Sequence, residues 1–569
     1  MRIMRKFFIS LFLIAFCSGV LFSQNETKTV SQIPKTDPFR ISQGQSFSAS
    51  TAHSNPASPK ENGSPDRKTV SGDFQEAFEL IKQNYIDGNS VDYNDLTKSS
   101  ITSMLHVLDP HSNYFDSAEF DELPTEQNSE YFGIGATIAN YEVNGQVETF
   151  VTSTFPDSPA FRANLRFGDK IVEVDGEKVS GKSSIYVRNK VRGAKGTTVR
   201  LKIERADNAK PLIVPLRRNR VPQPSIPDAY LLSPGVGYID FSNGFNYTTL
   251  DEMNVAINEL EKQGMKSLVL DLRNNPGGIL EQAVRVAEKF LPKGKTIVSQ
   301  RGRYVIDNRK WTSRNANPVN VPLVVLVNGD SASASEIVAG ALQDSDRAYI
   351  VGEKTFGKGL VQSIINLPYG SGLTLTTAKY YTPTGRSIQR DYSNGNLYDY
   401  YQHKISFTDK NDQNSKRTAN GRTVYGGDGI TPDEIVKTSE LNSVQIELLD
   451  PIFLFSRELI NGQVKGFENY KVNQQQNYGL RIKQTDYPVN ENLLEKFKQY
   501  SDKNIKTSAN LIDHESNFIL RQIRYNVISA AFGNVAAKQV LIEDDEQVLK
   551  AVENLPRALQ LAQSSSGKR

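Results

Sequence analysis

Cysteine is almost missing from this chain of 569 residues: there is one, Cys17. A single thiol can form neither an intramolecular disulfide nor a cysteine-rich zinc site. Histidine is scarce as well. The five residues at 53, 106, 111, 403 and 514 are too few and too scattered for a multi-histidine metal centre, and no metal or cofactor is implied. Long apolar runs are lacking. The run at residues 7–16 is about half of what a membrane-spanning helix needs. Mean hydropathy is −0.46, which excludes a polytopic membrane protein. A basic excess is lacking too. There are 67 Lys and Arg against 64 Asp and Glu, and Arg2, Arg5 and Lys6 account for the difference. A nucleic-acid binder carries a basic patch or stripe, so no nucleic-acid partner is expected.

What is present begins with a leader. Arg2, Arg5 and Lys6 precede the short apolar run, the pattern of a secretion signal. Residues 1–23 are read as that signal, with cleavage after Ser23 or Gly19. Cys17 raises a lipoprotein alternative, and retention of the leader would anchor the body to the membrane. In each case the body is exported, to the periplasm or to the outer side of the inner membrane. Cleavage after Ser23 leaves no cysteine, which excludes a thiol enzyme. Residues 24–71 are Ser, Asn, Pro and Lys-rich with few aliphatics. Such a stretch buries too little surface to offset its ordering entropy and reads as a disordered linker.

The length implies about three or four domains. Phe74, Ala77, Phe78, Ile81 and Tyr85 have helical spacing, and a second helical run stops at Asp109-Pro110. Residues 72–128 therefore form an N-terminal helical segment. Residues 129–219 read as short strands and turns, residues 220–440 as alternating strand, glycine-rich turn and helix, and residues 441–569 as mostly helical. Buried strands are expected at 267–272 and 321–327, each near-continuously apolar. In such a sheet the functional loops sit at the carboxyl ends of the strands.

The segment VNGDSASASEIVAGALQD, at 327–344, places Ser333 where a strand turns into a helix. Free N–H groups and the helix dipole there favour an oxyanion. Ser333 with Glu336 three residues on also fits a simple capping box. A nucleophilic serine needs a base, yet no histidine lies between 112 and 402. Lys358, in a Gly-flanked loop, is a competent base if burial keeps it neutral, a depression of roughly three pKa units from ~10.4.

SASASEIVAGALQD followed by VGEKTFGKGLVQ resembles the core of the carboxyl-terminal processing peptidases, or tail-specific proteases. LDPHSNYF at 108–115, YFGIGATI and DSPAFRANLRFGDKIVEVDG, LVLDLRNNPGGIL at 268–280, and YYTPTGRSIQ with YGGDGITPD resemble further segments of that family, in the family's order. The resemblance spans roughly residues 72–440. It implies a multidomain α+β protein. A PDZ domain would stand between the helical segment and an α/β, crotonase/ClpP-like serine peptidase core. By position, Ser333 is the nucleophile, Lys358 the general base and Gln362 its orienter. The oxyanion hole would use Ala334 with Gly277 or Gly278. Asp344 is an accessory-acid candidate or the residue that ends its helix. Gly133, Ile134, Gly135 and Ala136 match the PDZ carboxylate-binding loop, implying protein or peptide substrates with apolar carboxyl termini. Arg192 is a second carboxylate partner or an ordinary strand-end arginine. Homo-oligomer formation is left open.

Two alternatives remain. One is a catalytically inactive PDZ adaptor on a peptidase scaffold. The other is a Ser–His hydrolase using His111 or His403.

Overall fold

The computed structural model describes residues 66–120, 130–393, 400–401, 415–477, 481–504 and 509–565. The leader, residues 24–65 and His403 lie outside the described residues. The N-terminal segment comprises α1 (Arg67–Asn84), α2 (Tyr93–Leu108) and β1 (Asn113–Phe115). Helix α1 starts at Arg67, seven residues before the first residue of the helical pattern and inside the stretch expected to be a disordered linker, because the Asp66 side chain accepts the Thr69 N–H as its N-cap.

The PDZ-like unit runs through β2 (Glu130–Gly133), β3 (Ala136–Val143), β4 (Gln146–Thr154), α3 (Pro159–Arg162), β5 (Lys170–Val174), β6 (Glu177–Lys178), α4 (Ser184–Val191), β7 (Thr198–Glu204), β8 (Leu212–Arg217) and β9 (Asn219–Pro222). Its main sheet has the order β3-β4-β5-β7-β8, so β3 is an edge. Ser158 caps α3 with Pro159 in the first turn, and Asp175-Gly176, both at positive φ, turn β5 into β6. Strands β2 and β9 pair antiparallel from Glu130↔Pro222 to Gly133↔Asn219. This ribbon pinches the unit off and moves its end from residue 219 to residue 222.

The core contains β10 (Asp228–Ser233), β11 (Val236–Asp240), α5 (Thr249–Lys262), β12 (Ser267–Asp271), α6 (Leu280–Phe290), β13 (Thr296–Gly302), β14 (Arg309–Thr312), β15 (Leu323–Val327), α7 (Ala334–Asp344), β16 (Tyr349–Gly352), β17 (Leu360–Asn366), β18 (Gly372–Tyr381), β19 (Lys416–Arg417), β20 (Thr423–Val424) and β21 (Glu434–Ile435). Its central sheet has the order β10-β11-β12-β15-β16-β21, parallel from β11 onward. Every residue of β12 and β15 is buried, as their apolar runs require. A second, antiparallel sheet sets β18 between β1 and β13 and pairs it also with β17. The N-terminal segment is thereby built into the core through Asn113↔Thr374 and its neighbours.

The tail forms α8 (Ser443–Ile460), α9 (Glu491–Asn504), α10 (Ala509–His514), α11 (Ser516–Phe532), α12 (Asn534–Ile542), α13 (Glu546–Glu553) and α14 (Leu555–Ser565). It covers the one sheet face that α5, α6 and α7 leave open. Val548, Ala551 and Ala558 share a buried cluster with Val269, Val324, Leu326 and Val351, whereas α5–α7 pack on the opposite face. It also grips the PDZ-like unit. Phe453 stacks on Tyr141 at 3.5 Å between ring centroids and lies in one cluster with Phe150 and Phe167. The tail therefore supplies core to both neighbours, which its polar sequence does not announce. Among the described residues no helix is long and apolar enough to cross a membrane.

Candidate active site

Strands β12 and β15 are adjacent and parallel, so the loops at their carboxyl ends meet. Asn275 O accepts the Ala332 N–H at 3.0 Å, and Asn328 Oδ1 accepts the Asn274 N–H at 2.9 Å. The three serines of the second loop then separate by role. Ser331 is buried, donates to Leu272 O at 2.8 Å and accepts the Asn328 N–H at 2.9 Å. Ser335 is buried and donates to Asn275 O at 2.9 Å. Both hydroxyls stitch the loops together. Ser333 is only partly buried and has φ 55°, ψ −110° at the start of α7. A non-glycine residue at positive φ carries backbone strain that the surroundings must hold.

The turn beside it is close-packed. A Cβ on Gly277 would lie 2.8 Å from Ser333 Cβ and 2.9 Å from Ala334 N, and one on Gly278 would lie 2.3 Å from Phe245 O. Only glycine fits either position, and both have positive φ. Their N–H groups differ. Gly277 donates to Asn275 Oδ1 at 2.9 Å. No described residue accepts the N–H of Gly278 or of Ala334. Of the two glycines left open by the sequence, Gly278 thus keeps its donor for a ligand.

Lys358 lies between β16 and β17. Burial pushes its ammonium down to about 8, against the opposing pull of the Asp109 and Glu336 carboxylates. Gln362 opens the regular part of β17 after a bulge, and its Nε2 donates to Thr376 Oγ1 at 3.1 Å.

Glu336 is the residue that sequence reasoning undervalued. It is fully buried. Its Oε2 accepts the N–H of Ser333 and of Lys358, each at 2.8 Å, and its Oε1 accepts the Gly357 N–H at 2.8 Å and the Thr355 hydroxyl at 2.6 Å. Burial raises its carboxyl pKa, with these four donors opposing. The capping-box spacing located Glu336, but only the fold shows that the cap also holds the Lys358 loop. Arg273 was also missed. It donates to Asp271 and, from the far end of the chain, to Asp545 at 2.7 Å, which ties the glycine turn to the tail.

The two readings of Asp344 are resolved. Asp344 is no accessory acid. It lies at the far end of α7, about 16 Å from Ser333 at 1.5 Å per residue. It is spent on Arg386 at 2.7 Å and on the N–H and hydroxyl of Thr384. His111 is buried with Nε2 2.9 Å from the Tyr400 hydroxyl, and burial with the Lys358 charge holds its pKa well below the ordinary value. In the PDZ-like unit, Gly135 O accepts the Phe155 N–H and the Ser158 hydroxyl, and Ile134 O accepts the Ala160 N–H. These bonds seat the 133–136 loop at the start of the edge strand β3. Arg192 stacks over the Tyr131 ring at 4.6 Å, beside Gly133. Among the described residues no His, Cys, Asp and Glu cluster could hold a metal ion.

The Peptidase family S41 profile matches residues 235–398, and the PDZ domain profile matches residues 124–204. A carboxy-terminal-processing protease of Bartonella bacilliformis is 38% identical over 321 residues, 56% of this chain and 72% of that one. A probable CtpA-like serine protease of Staphylococcus aureus is 32% identical over 433 residues, 75% of this chain and 82% of that one. Among solved structures, the photosystem II D1 C-terminal processing protease aligns at 30% identity with a TM-score of 0.34, over 64% of this chain and 92% of that one. The class is therefore a serine-type peptidase carrying a PDZ domain. The chain belongs to peptidase family S41, the carboxy-terminal processing proteases.

Proposed function

We propose that this peptidase is exported and hydrolyses peptide bonds through a Ser333–Lys358 dyad, on proteins selected by apolar carboxyl-terminal tails. The observation that carries the dyad is Glu336 Oε2, which accepts the backbone N–H groups of Ser333 and Lys358 at 2.8 Å each and so holds the two loops together, beside a lysine whose pKa burial brings to about 8. Near neutral pH an appreciable fraction of Lys358 is then neutral and takes the Ser333 Oγ proton as the oxygen attacks the scissile carbonyl. The developing oxyanion takes the Ala334 and Gly278 N–H groups, which have no other acceptor among the described residues. Collapse of the tetrahedral intermediate breaks the C–N bond, and the Lys358 proton passes to the leaving amine. Water, deprotonated by the same lysine, then hydrolyses the acyl-enzyme. Gln362 orients Lys358 without the negative charge that would hold it protonated.

Tail selection rests on the 133–136 loop and on β3 as a sheet edge. An extended peptide adds as a strand to such an edge with its carboxylate in the loop N–H groups. Export rests on the leader alone. The reading is tested by degradation of a substrate bearing an apolar tail. Wild type should degrade it faster than the same substrate with a charged tail, and Ser333→Ala should degrade neither. Turnover by Ser333→Ala at the wild-type rate overturns the dyad. Equal rates for the two tails overturn the tail selection.

A further inference from the structure

The turn at residues 109–112 closes α2 and enters β1, so by sequence it belongs to the N-terminal segment. In space it sits against the Lys358 loop. Asp109, His111 and Ser112 are all at least 95% buried. Asp109 Oδ1 accepts the N–H groups of His111 and Ser112, each at 2.8 Å, which makes the turn rigid. Two arms leave it. In the first, Ser112 Oγ donates to Asp109 Oδ2 at 2.7 Å and accepts the Thr376 N–H at 3.0 Å, and Thr376 Oγ1 accepts Gln362 Nε2 at 3.1 Å. In the second, His111 Nε2 meets the Tyr400 hydroxyl at 2.9 Å. That hydroxyl accepts Gln389 Nε2 at 3.2 Å, and Gln389 Oε1 accepts the Gly359 N–H at 2.8 Å. The arms end on Gln362 and on the residue that follows Lys358.

We infer that the Asp109–His111–Ser112 turn is a positioning element for the catalytic lysine: it holds Gln362 through Thr376 and the Lys358 loop through Tyr400 and Gln389. This rests on Lys358 being the base. Among the described residues, the charged and titratable groups facing Lys358 include Asp109 and His111 from the turn and Glu336 from α7, with Arg390 stacked over the neighbouring Phe356. The arrangement makes the N-terminal segment part of the peptidase centre. A residue between these groups and the chemistry need move little, because misplacement of about 1 Å costs on the order of 100-fold.

The test uses the full chain and a short internally quenched peptide, with Ser112→Ala, Tyr400→Phe, Asp109→Asn and Lys358→Arg in one buffer series. Ser112→Ala and Tyr400→Phe should each lower kcat about tenfold or more in the folded fraction, with KM near wild type; Ser112→Ala should also lower the thermal midpoint, because the Thr376 N–H and Asp109 Oδ2 lose their partner. In a cycle with Gln362→Ala, Ser112→Ala should add no further loss, since it acts through Gln362. Asp109→Asn should move the rising limb of kcat/KM to lower pH, because it removes a negative charge facing Lys358. A variant that merely loosened the pocket would admit water and move the limb up. Should Ser112→Ala fail to fold, Tyr400→Phe, which deletes one oxygen, carries the test. If folded turn variants keep kcat within twofold and the limb stays in place while Lys358→Arg is dead, the inference fails and the dyad stands. If Lys358→Arg is active, the dyad fails and the inference falls with it.

Discussion

Ser333 and Lys358 hang from a single oxygen: Glu336 Oε2 accepts both backbone N–H groups at 2.8 Å. The nucleophile at the head of α7 and the loop ahead of β17 are thereby held in one frame, 25 residues apart in sequence. Glu336→Gln keeps the size but points an amide NH₂ at two of the four donors. Hydrogen bonds to a charged group are each worth about 1.5–3 kcal/mol, and a buried unpaired donor costs about as much. The expected outcome is a stability loss of roughly 2–4 kcal/mol in chemical denaturation, with kcat falling more than KM rises. A variant as stable and as fast as wild type would refute the frame.

The serines should separate cleanly. Ser333→Ala should abolish peptide cleavage and keep the thermal midpoint, or raise it, because alanine needs no partner for its side chain. Ser331→Ala and Ser335→Ala keep the nucleophile but leave the buried groups they bond, such as Leu272 O and Asn275 O, without a donor. Each should cost about 1–3 kcal/mol of stability, while the folded fraction retains activity. Complete loss of activity in folded Ser331→Ala would move the nucleophile two residues.

Lys358 gives a pH dependence with a definite sign. Its pKa falls from 10.5 to about 8 on folding. The rate kcat/KM should therefore rise with pH and level off above about pH 8. Between about 8 and 10.5 the unfolded chain binds more protons than the native one, so this group makes stability rise with pH across that window. Below about pH 8 the full cost of the lysine is present. Lys358→Met should be inactive yet more stable than wild type at pH 7, by up to roughly 3 kcal/mol at 1.36 kcal/mol per pKa unit, with the advantage shrinking toward pH 10.5. Equal stability at both ends would contradict a desolvated lysine.

Tail binding and hydrolysis should come apart at Gly135. Its φ is 72°, and an added Cβ would lie 2.3 Å from Ser158 Cβ. Gly135→Val should weaken binding of a carboxyl-terminal peptide, read by fluorescence anisotropy, by at least tenfold. Hydrolysis of a short untailed peptide should stay within a few-fold of wild type. Undiminished peptide binding would remove the 133–136 loop from the recognition site.

The helical tail should prove indispensable. Ending the chain at residue 545 exposes Val269, Val324, Leu326 and Val351, all fully buried in the intact protein. At about 25 cal/mol per Å² of apolar surface, opening this face takes several kcal/mol from a margin that is ordinarily about 5–15 kcal/mol. The truncated chain should aggregate on expression, and a soluble, active product would show that α13 and α14 are dispensable.

Much of the architecture is legible in the amino-acid sequence. Helical spacing locates α1 and α2 and marks residues 441–569 as mostly helical, and unbroken apolar runs locate β12 and β15, because period and burial are local properties of the chain. Ser333 stands out because a strand there turns into a helix, and Lys358 because no histidine lies between 112 and 402; Gly277 and Gly278 enter together through the family resemblance. Three things are not legible, and all depend on contacts between distant segments. The choice of Gly278 over Gly277 follows from where the Asn275 side chain points. The second role of Glu336, a capping residue by spacing, follows from the Lys358 loop folding back over α7. The core formed by residues 546–558 follows from the sheet presenting an apolar face that no earlier helix covers. A sequence records which side chains can donate, accept or be buried; which of them meet is set by packing across the fold, and here that packing decides the environment of the lysine.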